Sequence, residues 1–252
     1  MARLKEIVTF LDDTLETNSI RDRSWNGLQV EGRPEVGRII FAVDAGLATF
    51  QKAAGLRADL VVVHHGLFWK NNNPVCVGAM KARLESLLSA GISLYASHLP
   101  LDRHRSLGNN AQLLELAGAR ITGEFGEYEG QTISWRGEFP QAADRKLLAT
   151  RLAKALKTSC RLLSFGPERI KSIAVCSGGG GYGLFEAALA AGVDLYLTGE
   201  SIEVYHAARD AGLNVIFAGH HATETLGPRA LAREVGRKFK LPVSFLDLPT
   251  GL

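Results

Sequence analysis

The sequence predicts an α/β protein built from two related three-layer lobes. Short, apolar, β-branched runs alternate with segments of helical periodicity. The same order of elements occurs twice along the chain. In both halves, strands run directly into histidines and carboxylates.

The first element is an amphipathic helix over Leu4 to Leu15, with Ile7, Val8, Phe10 and Leu11 on its apolar face. A polar loop follows and ends in Trp25-Asn26-Gly27-Leu28-Gln29-Val30. Arg38 to Val43 is short, apolar and β-rich, hence a buried strand. Leu47 to Leu56 reads as a helix. Leu60 to Val63 is a second buried strand that leads into His64-His65-Gly66. Met80 to Ala90 is a helix ended by Gly91, which tolerates the left-handed turn there. Ile92 to Ala96 is a third strand, opening into Ser97-His98-Leu99-Pro100-Leu101-Asp102. Asn109 or Asn110 can cap a helix over Ala111 to Ala117.

Residues 121–167 read as a small α+β segment, with alternating strand candidates around Thr132 to Phe139 and a helix over Ala142 to Leu156. Strand–helix order then resumes. Ser172 to Cys176 is a strand, followed by the turn Ser177-Gly178-Gly179-Gly180-Gly181. Leu184 to Ala191 is a helix, and Asp194 to Leu197 a strand ending in Thr198-Gly199-Glu200. Val204 to Ala211 is a helix, and Val215 to Ala218 a strand opening into Gly219-His220-His221. The chain is helical again from Thr225, with a last strand at Val243 to Leu246.

The repeat is visible when the halves are aligned by element. Arg38 to Gly66 reads strand, loop, helix, then Ala58-Asp59-Leu60, strand and turn. Lys171 to Glu200 does the same, with Val193-Asp194-Leu195 at the matching point. Each half then has a helix ending in Ala-Gly and a strand ending near a histidine. His98 has Asp102 four residues on, and His220 has Glu224 four residues on. The expected lobes are 1–120 and 121–252, facing each other across a cleft.

Composition narrows the class. The chain has 252 residues, 46% apolar and 22% charged, as in an ordinary globular protein with a real core. Net charge is +3 with the basic residues scattered, so no nucleic-acid stripe is indicated. Three separated cysteines form no CxxC pair, which argues against a cysteine zinc site and suits a reducing compartment. The N-terminal segment lacks the apolar stretch of a signal peptide, and no run approaches the ~20 residues of a membrane span. The expectation is a soluble, cytoplasmic protein.

Ligands of open α/β sheets bind beyond the carboxyl ends of strands. Here His64 and His65 follow one strand, His98 and Asp102 another, Glu200 a third, and His220 and Glu224 a fourth. Imidazole and carboxylate together suit zinc, iron, manganese, cobalt or nickel. If helical, His220 and Glu224 share a face. Each feature also has a plainer explanation. Adjacent histidines can be one core and one surface residue. Pro100 opposes a regular helix, so Asp102 can be a turn cap. Glu200 can cap the following helix. The glycine run can present N–H groups to phosphate, or be only a tight turn. Phe68, Trp69 and Tyr182 can stack on a purine, or be core.

The runs VVHHGLFW (Val62 to Trp69), SHLPLD (Ser97 to Asp102), LGNNAQL (Leu107 to Leu113) and GHHATE (Gly219 to Glu224), with NGLQVEG (Asn26 to Gly32), resemble the GTP cyclohydrolase I type 2 homolog family, also called interacting-factor-3-like. The resemblance spans nearly the whole chain. It implies two α/β lobes with two divalent transition-metal ions between them, ligated by His64, His65, Asp102, His220 and Glu224. Asp102 or Glu224 would bridge the ions. His98 matches a position beside the centre and is the candidate for moving protons. The resemblance also implies a hexameric ring, a trimer of dimers.

The function this points to is a dinuclear metal-dependent hydrolase acting on a nucleotide or related heterocycle. The alternatives are a two-metal phosphoesterase, and a non-enzymatic metal-handling protein or metal-stabilised scaffold.

Overall fold

A computed structural model describes residues 1–252. The chain begins with β1 (Ala2–Arg3), α1 (Leu4–Leu15), a 3-10 turn at Thr17–Ser19, β2 (Gly27–Val30), β3 (Glu35–Val36), β4 (Ile39–Asp44), α2 (Leu47–Gly55), β5 (Leu60–His65), α3 (Gly78–Ala90), β6 (Ser93–Ala96), α4 (Leu99–Arg103) and α5 (Asn109–Ala117). It continues with β7 (Arg120–Tyr128), β8 (Gln131–Asp144), α6 (Arg145–Leu156), β9 (Arg161–Ser164), β10 (Arg169–Cys176), α7 (Gly181–Ala190), β11 (Leu195–Thr198), α8 (Tyr205–Ala211), β12 (Asn214–Phe217), α9 (His220–Glu224), α10 (Leu226–Phe239) and β13 (Val243–Phe245). The expected α/β class holds. No helix is long and apolar enough to cross a membrane.

Two compact units form: Met1–Leu101 with Pro228–Leu248, and Asp102–Gly227 with Pro249–Leu252. The division falls before residue 120, the boundary expected from sequence, because α5 buries Ala111, Leu114 and Ala117 with Trp135, Leu148 and Ile173 of the second unit.

The first unit carries a five-stranded sheet of order β13-β4-β5-β6-β2. β13, β4, β5 and β6 are parallel, and β2 is antiparallel to β6. Ile40, Ala42, Val61, Val63 and Leu94 pack on Phe50 and Ala53 of α2 and Leu87 of α3. The alternate residues Phe41, Val62 and Tyr95 are buried too. Tyr95 donates from Oη to Asp12 Oδ1 of α1 at 2.8 Å, which puts α1 on the opposite face. Phe10 of α1 meets Phe239 of α10 edge to face, with centroids 5.5 Å apart. The sheet therefore lies between two helical layers, and near-continuous apolar strands are what that demands.

The second unit carries a six-stranded sheet of order β7-β8-β10-β11-β12-β9. β10, β11 and β12 are parallel, with β8 antiparallel to β10 and β9 antiparallel to β12. α5 and α6 cover one face through Leu114, Leu148 and Leu152. On the other, Phe185 of α7 approaches Tyr196 of β11, centroids 6.5 Å apart. Helix α6 starts at Arg145 rather than Ala142: the Asp144 carboxylate accepts from the N–H groups of Lys146 and Leu147 and so sets the N-cap, leaving residues 142–144 in β8.

The internal repeat is present in the topology. β4-β5-β6-β2 in one sheet corresponds to β10-β11-β12-β9 in the other, with β2 and β9 each preceding its parallel trio in the chain. Neither β2 nor β9 is visible as a strand in the sequence pattern, because four-residue strands carry little local signal. The match extends to single hydrogen bonds. Asp59 Oδ2 accepts from the N–H of Gly37 (2.7 Å) and Arg38 (3.1 Å). Asp194 Oδ2 accepts from the N–H of Lys171 (2.7 Å) and Ser172 (3.0 Å).

Candidate metal centre

In the first unit the histidines gather at the carboxyl ends of neighbouring parallel strands. β5 extends through His64 and His65, and His98 follows β6, whose Ala96 is registered against Val63. The ring centroids of His64 and His65 are 4.6 Å apart, those of His64 and His98 5.1 Å, and those of His65 and His98 5.7 Å. One ring nitrogen from each lies within 4.8 Å of the others.

Each of the three rings is oriented through Nδ1. That atom lies 2.9 Å from Ser97 O in His64, 2.8 Å from Asp44 Oδ1 in His65, and 3.0 Å from Asp22 Oδ1 in His98. Carbonyl and carboxylate oxygens only accept, so Nδ1 carries the proton and Nε2 keeps its lone pair. This is the arrangement by which outer groups hold a metal-binding imidazole. Asp44 ends β4 and obeys the strand-end rule that singled out the histidines. Asp22 carries no local signal, lying in a loop 76 residues from His98.

The loop after β5 is pinned by the NGLQVEG run. Gln29 Oε1 accepts from the N–H of Leu67 (2.7 Å) and Phe68 (3.3 Å). A Cβ at Gly66 would collide with the Gln29 amide, so the close approach requires glycine. Trp69 donates from Nε1 to Gly66 O at 3.1 Å and stands edge-on to His98, centroids 5.0 Å apart.

In the second unit β12 leads into α9, a single turn that presents His220 and Glu224 on one face. His220 Nε2 lies 3.1 Å from Glu224 Oε2. His220 Nδ1 lies 2.7 Å from Oε1 of Glu200, so the Nδ1-held pattern recurs. Glu200 is therefore a partner of His220 and not a helix cap; α8 starts only at Tyr205, with Val204 as its N-cap. His221, beside His220, is buried.

Asp102 sits in α4, which forms despite Pro100 because proline in a first turn sacrifices no helical N–H bond. Asp102 is not a turn cap. Its Oδ1 accepts from Asn109 Nδ2 at 2.9 Å and from Ser177 Oγ at 3.0 Å. Asn110 Oδ1 accepts from Ser177 N at 2.7 Å, and Asn109 Oδ1 from Gly227 N at 2.7 Å. Neither asparagine caps α5; the N-cap is Gly108, and both side chains serve this buried network instead.

The glycine run is a tight turn packed against carboxylates. The N–H of Ser177 is taken by Asn110, and that of Gly178 by Thr223 Oγ1 at 2.9 Å, so neither is offered to phosphate. A Cβ at Gly178 would overlap Glu224 Oε1, and one at Gly179 would overlap the Glu200 carboxylate. Burial, reinforced by the Asp102, Glu224 and Glu200 charges, drives the Cys176 thiol far above its ordinary range.

The candidate ligands thus fall into two sets, His64 and His65 in one unit, with His98 beside them, and Asp102, His220 and Glu224 in the other. Imidazole nitrogens together with carboxylates fit a divalent transition metal.

Comparison with known proteins finds relatives along nearly the whole chain. The family model Duf34/NIF3 (NGG1p interacting factor 3) matches residues 2–250. A GTP cyclohydrolase 1 type 2 homolog of Pyrococcus horikoshii is 47% identical over 249 residues, 98% of each chain. Its namesake from Archaeoglobus fulgidus is 45% identical over 250 residues, 99% of each chain. The solved structure of TTHA1606 from Thermus thermophilus is similar with a TM-score of 0.90 and 39% identity, covering 100% of both chains.

Proposed function

The chain belongs to the Duf34/NIF3 family, and from that premise we propose that it is a dinuclear metal-dependent hydrolase acting on a nucleotide or related heterocycle. His64, His65, Asp102, His220 and Glu224 hold two divalent transition-metal ions in this reading. The relatives' name, GTP cyclohydrolase 1 type 2 homolog, supports the substrate class. One observation supports the metal assignment: His64, His65 and His220 each have Nδ1 against a carbonyl or carboxylate oxygen, the outer contact by which a metal-binding imidazole is oriented.

Two such ions supply Lewis-acid polarisation of a substrate oxygen and acidify water. The protein's own groups do the rest. Asp44 and Glu200 hold His65 and His220 in register. Ser177 and Asn109 fix the Asp102 carboxylate through Oδ1. His98, beside His64 and His65, accepts and returns the proton that hydrolysis must move. The chain assembles as a homohexamer, a trimer of dimers, in the same reading; light scattering on the purified protein tests that.

Metal analysis paired with a hydrolysis screen tests the function. Close to two metal equivalents per chain and turnover of GTP, a pterin or another heterocycle are expected. Failure to bind divalent metal after reconstitution would overturn the proposal. Full metal occupancy without hydrolysis of nucleotides, pterins or phosphodiesters would leave a metal-stabilised scaffold as the better description.

A further inference from the structure

We propose that Asp22 is the positioning residue for His98, holding it in the tautomer whose Nε2 is a ready proton acceptor. The inference rests on the hydrolase reading for its use in catalysis, but its geometry stands without it.

Asp22 is 4% exposed and lies in a loop, where a buried carboxylate needs compensation. It has that compensation in full. Oδ1 accepts from Ser24 N at 3.0 Å, and Oδ2 from Asn26 Nδ2 at 2.9 Å and from Leu99 N at 2.9 Å. Both oxygens lie near His98 Nδ1, at 3.0 and 3.1 Å. Asn26 closes the arrangement from the other side: its Oδ1 accepts from the backbone N–H of His98 at 2.8 Å. The imidazole is thus fixed at its main chain by Asn26 and at its ring by Asp22.

With every other donor around Asp22 aimed at the carboxylate, it accepts only, and His98 must donate from Nδ1. That leaves the Nε2 lone pair bare. Trp69 also packs edge-on against the ring, centroids 5.0 Å apart. A carboxylate behind an imidazole is the pairing that selects tautomer and stabilises imidazolium in acid–base catalysis. In the proton step, Nε2 takes a proton from the attacking water as its oxygen bonds to substrate. The imidazolium charge then rests against the Asp22 carboxylate, and the same proton is delivered to the departing atom. One water is consumed and the substrate's bond to the departing atom breaks, while His98 returns neutral.

A purely structural Asp22, serving to start α4 through Leu99 N, predicts nothing about the His98 ring. Long-range proton–nitrogen NMR of the metal-free protein at alkaline pH reads the tautomer directly. Wild type is expected to show His98 protonated at Nδ1 and bare at Nε2. In Asp22→Asn, whose amide can turn its NH2 towards Nδ1, the proton is expected to move to Nε2, while zinc stoichiometry stays at the wild-type value. A wild-type ring protonated at Nε2 would overturn the proposal, even if the variant fails to fold. So would a folded Asp22→Asn that keeps its proton at Nδ1, or one that loses zinc. If metal-loaded wild type hydrolyses GTP, Asp22→Asn should be slower by ~10²–10⁴-fold. If wild type does not hydrolyse GTP, the hydrolase reading has failed with that probe, and the tautomer result still decides the role of Asp22.

Discussion

His220 Nδ1 lies 2.7 Å from Glu200 Oε1, and this contact determines which nitrogen of His220 is turned towards Glu224. Glu200 stands at a strand end, yet its work is done through a neighbour. Its side chain is half exposed, so removing it should leave stability within about 0.5 kcal/mol. Glu200→Ala should nevertheless weaken zinc binding by ~10-fold or more, because His220 loses its orienting partner. Calorimetric titration of the metal-free variant checks this, and unchanged affinity would show that Glu200 is incidental.

His220 and His221 are expected to separate cleanly. His220→Ala should lower zinc affinity by ~10-fold or more. His221 is buried, so His221→Ala should cost ~1–3 kcal/mol of stability with little change in bound metal. Loss of metal in His221→Ala but not in His220→Ala would mean the wrong histidine has been assigned.

The glycine turn offers an internally controlled test. Gly178 and Gly181 both have positive φ, +60° and +57°, so alanine at either costs ~1–2 kcal/mol of backbone strain. Only at Gly178 would the added methyl strike Glu224; at Gly181 it meets nothing within 4 Å. Gly178→Ala should therefore lose both stability and zinc affinity, whereas Gly181→Ala should lose stability alone. Equal metal affinity in the two variants would refute the packing argument.

Acid stability reports on Asp22. Burial alone would raise its carboxyl, but the His98 hydrogen bond and charge, with Asn26 and the Ser24 N–H, hold it at about 2 instead of 3.8. A carboxyl depressed by folding stabilises the native state above its unfolded value and stops doing so as pH falls through the folded one. The contribution, about 2 kcal/mol, is thus complete above about pH 4 and vanishes towards pH 2. In urea unfolding, the gap between wild type and Asp22→Asn should narrow as pH falls from about 4 towards 2. A gap independent of pH there would contradict the assignment.

Much of the molecule was legible in the residues themselves. The 3.6-residue period of Leu4–Leu15 and the apolar run before His64 report burial on one face or on two, so α1, β4, β5 and their counterparts followed from pattern. The Ala58-Asp59 and Val193-Asp194 repeats marked a duplication whose hydrogen bonds are the same in both copies. The candidate ligands stood out because the carboxyl ends of parallel strands are where side chains leave the sheet. What pattern could not supply were β2 and β9, whose pairing energy comes from partners distant in sequence and not from their own four residues. Nor could it supply Asp22, Asn109 and Ser177 as orienting groups, each an ordinary polar residue until the fold sets it beside a histidine or Asp102. A ligand can be guessed from its residue type and its place at a strand end. The group that orients it is chosen by a hydrogen bond about 3 Å long, and only the tertiary structure brings two distant segments that close.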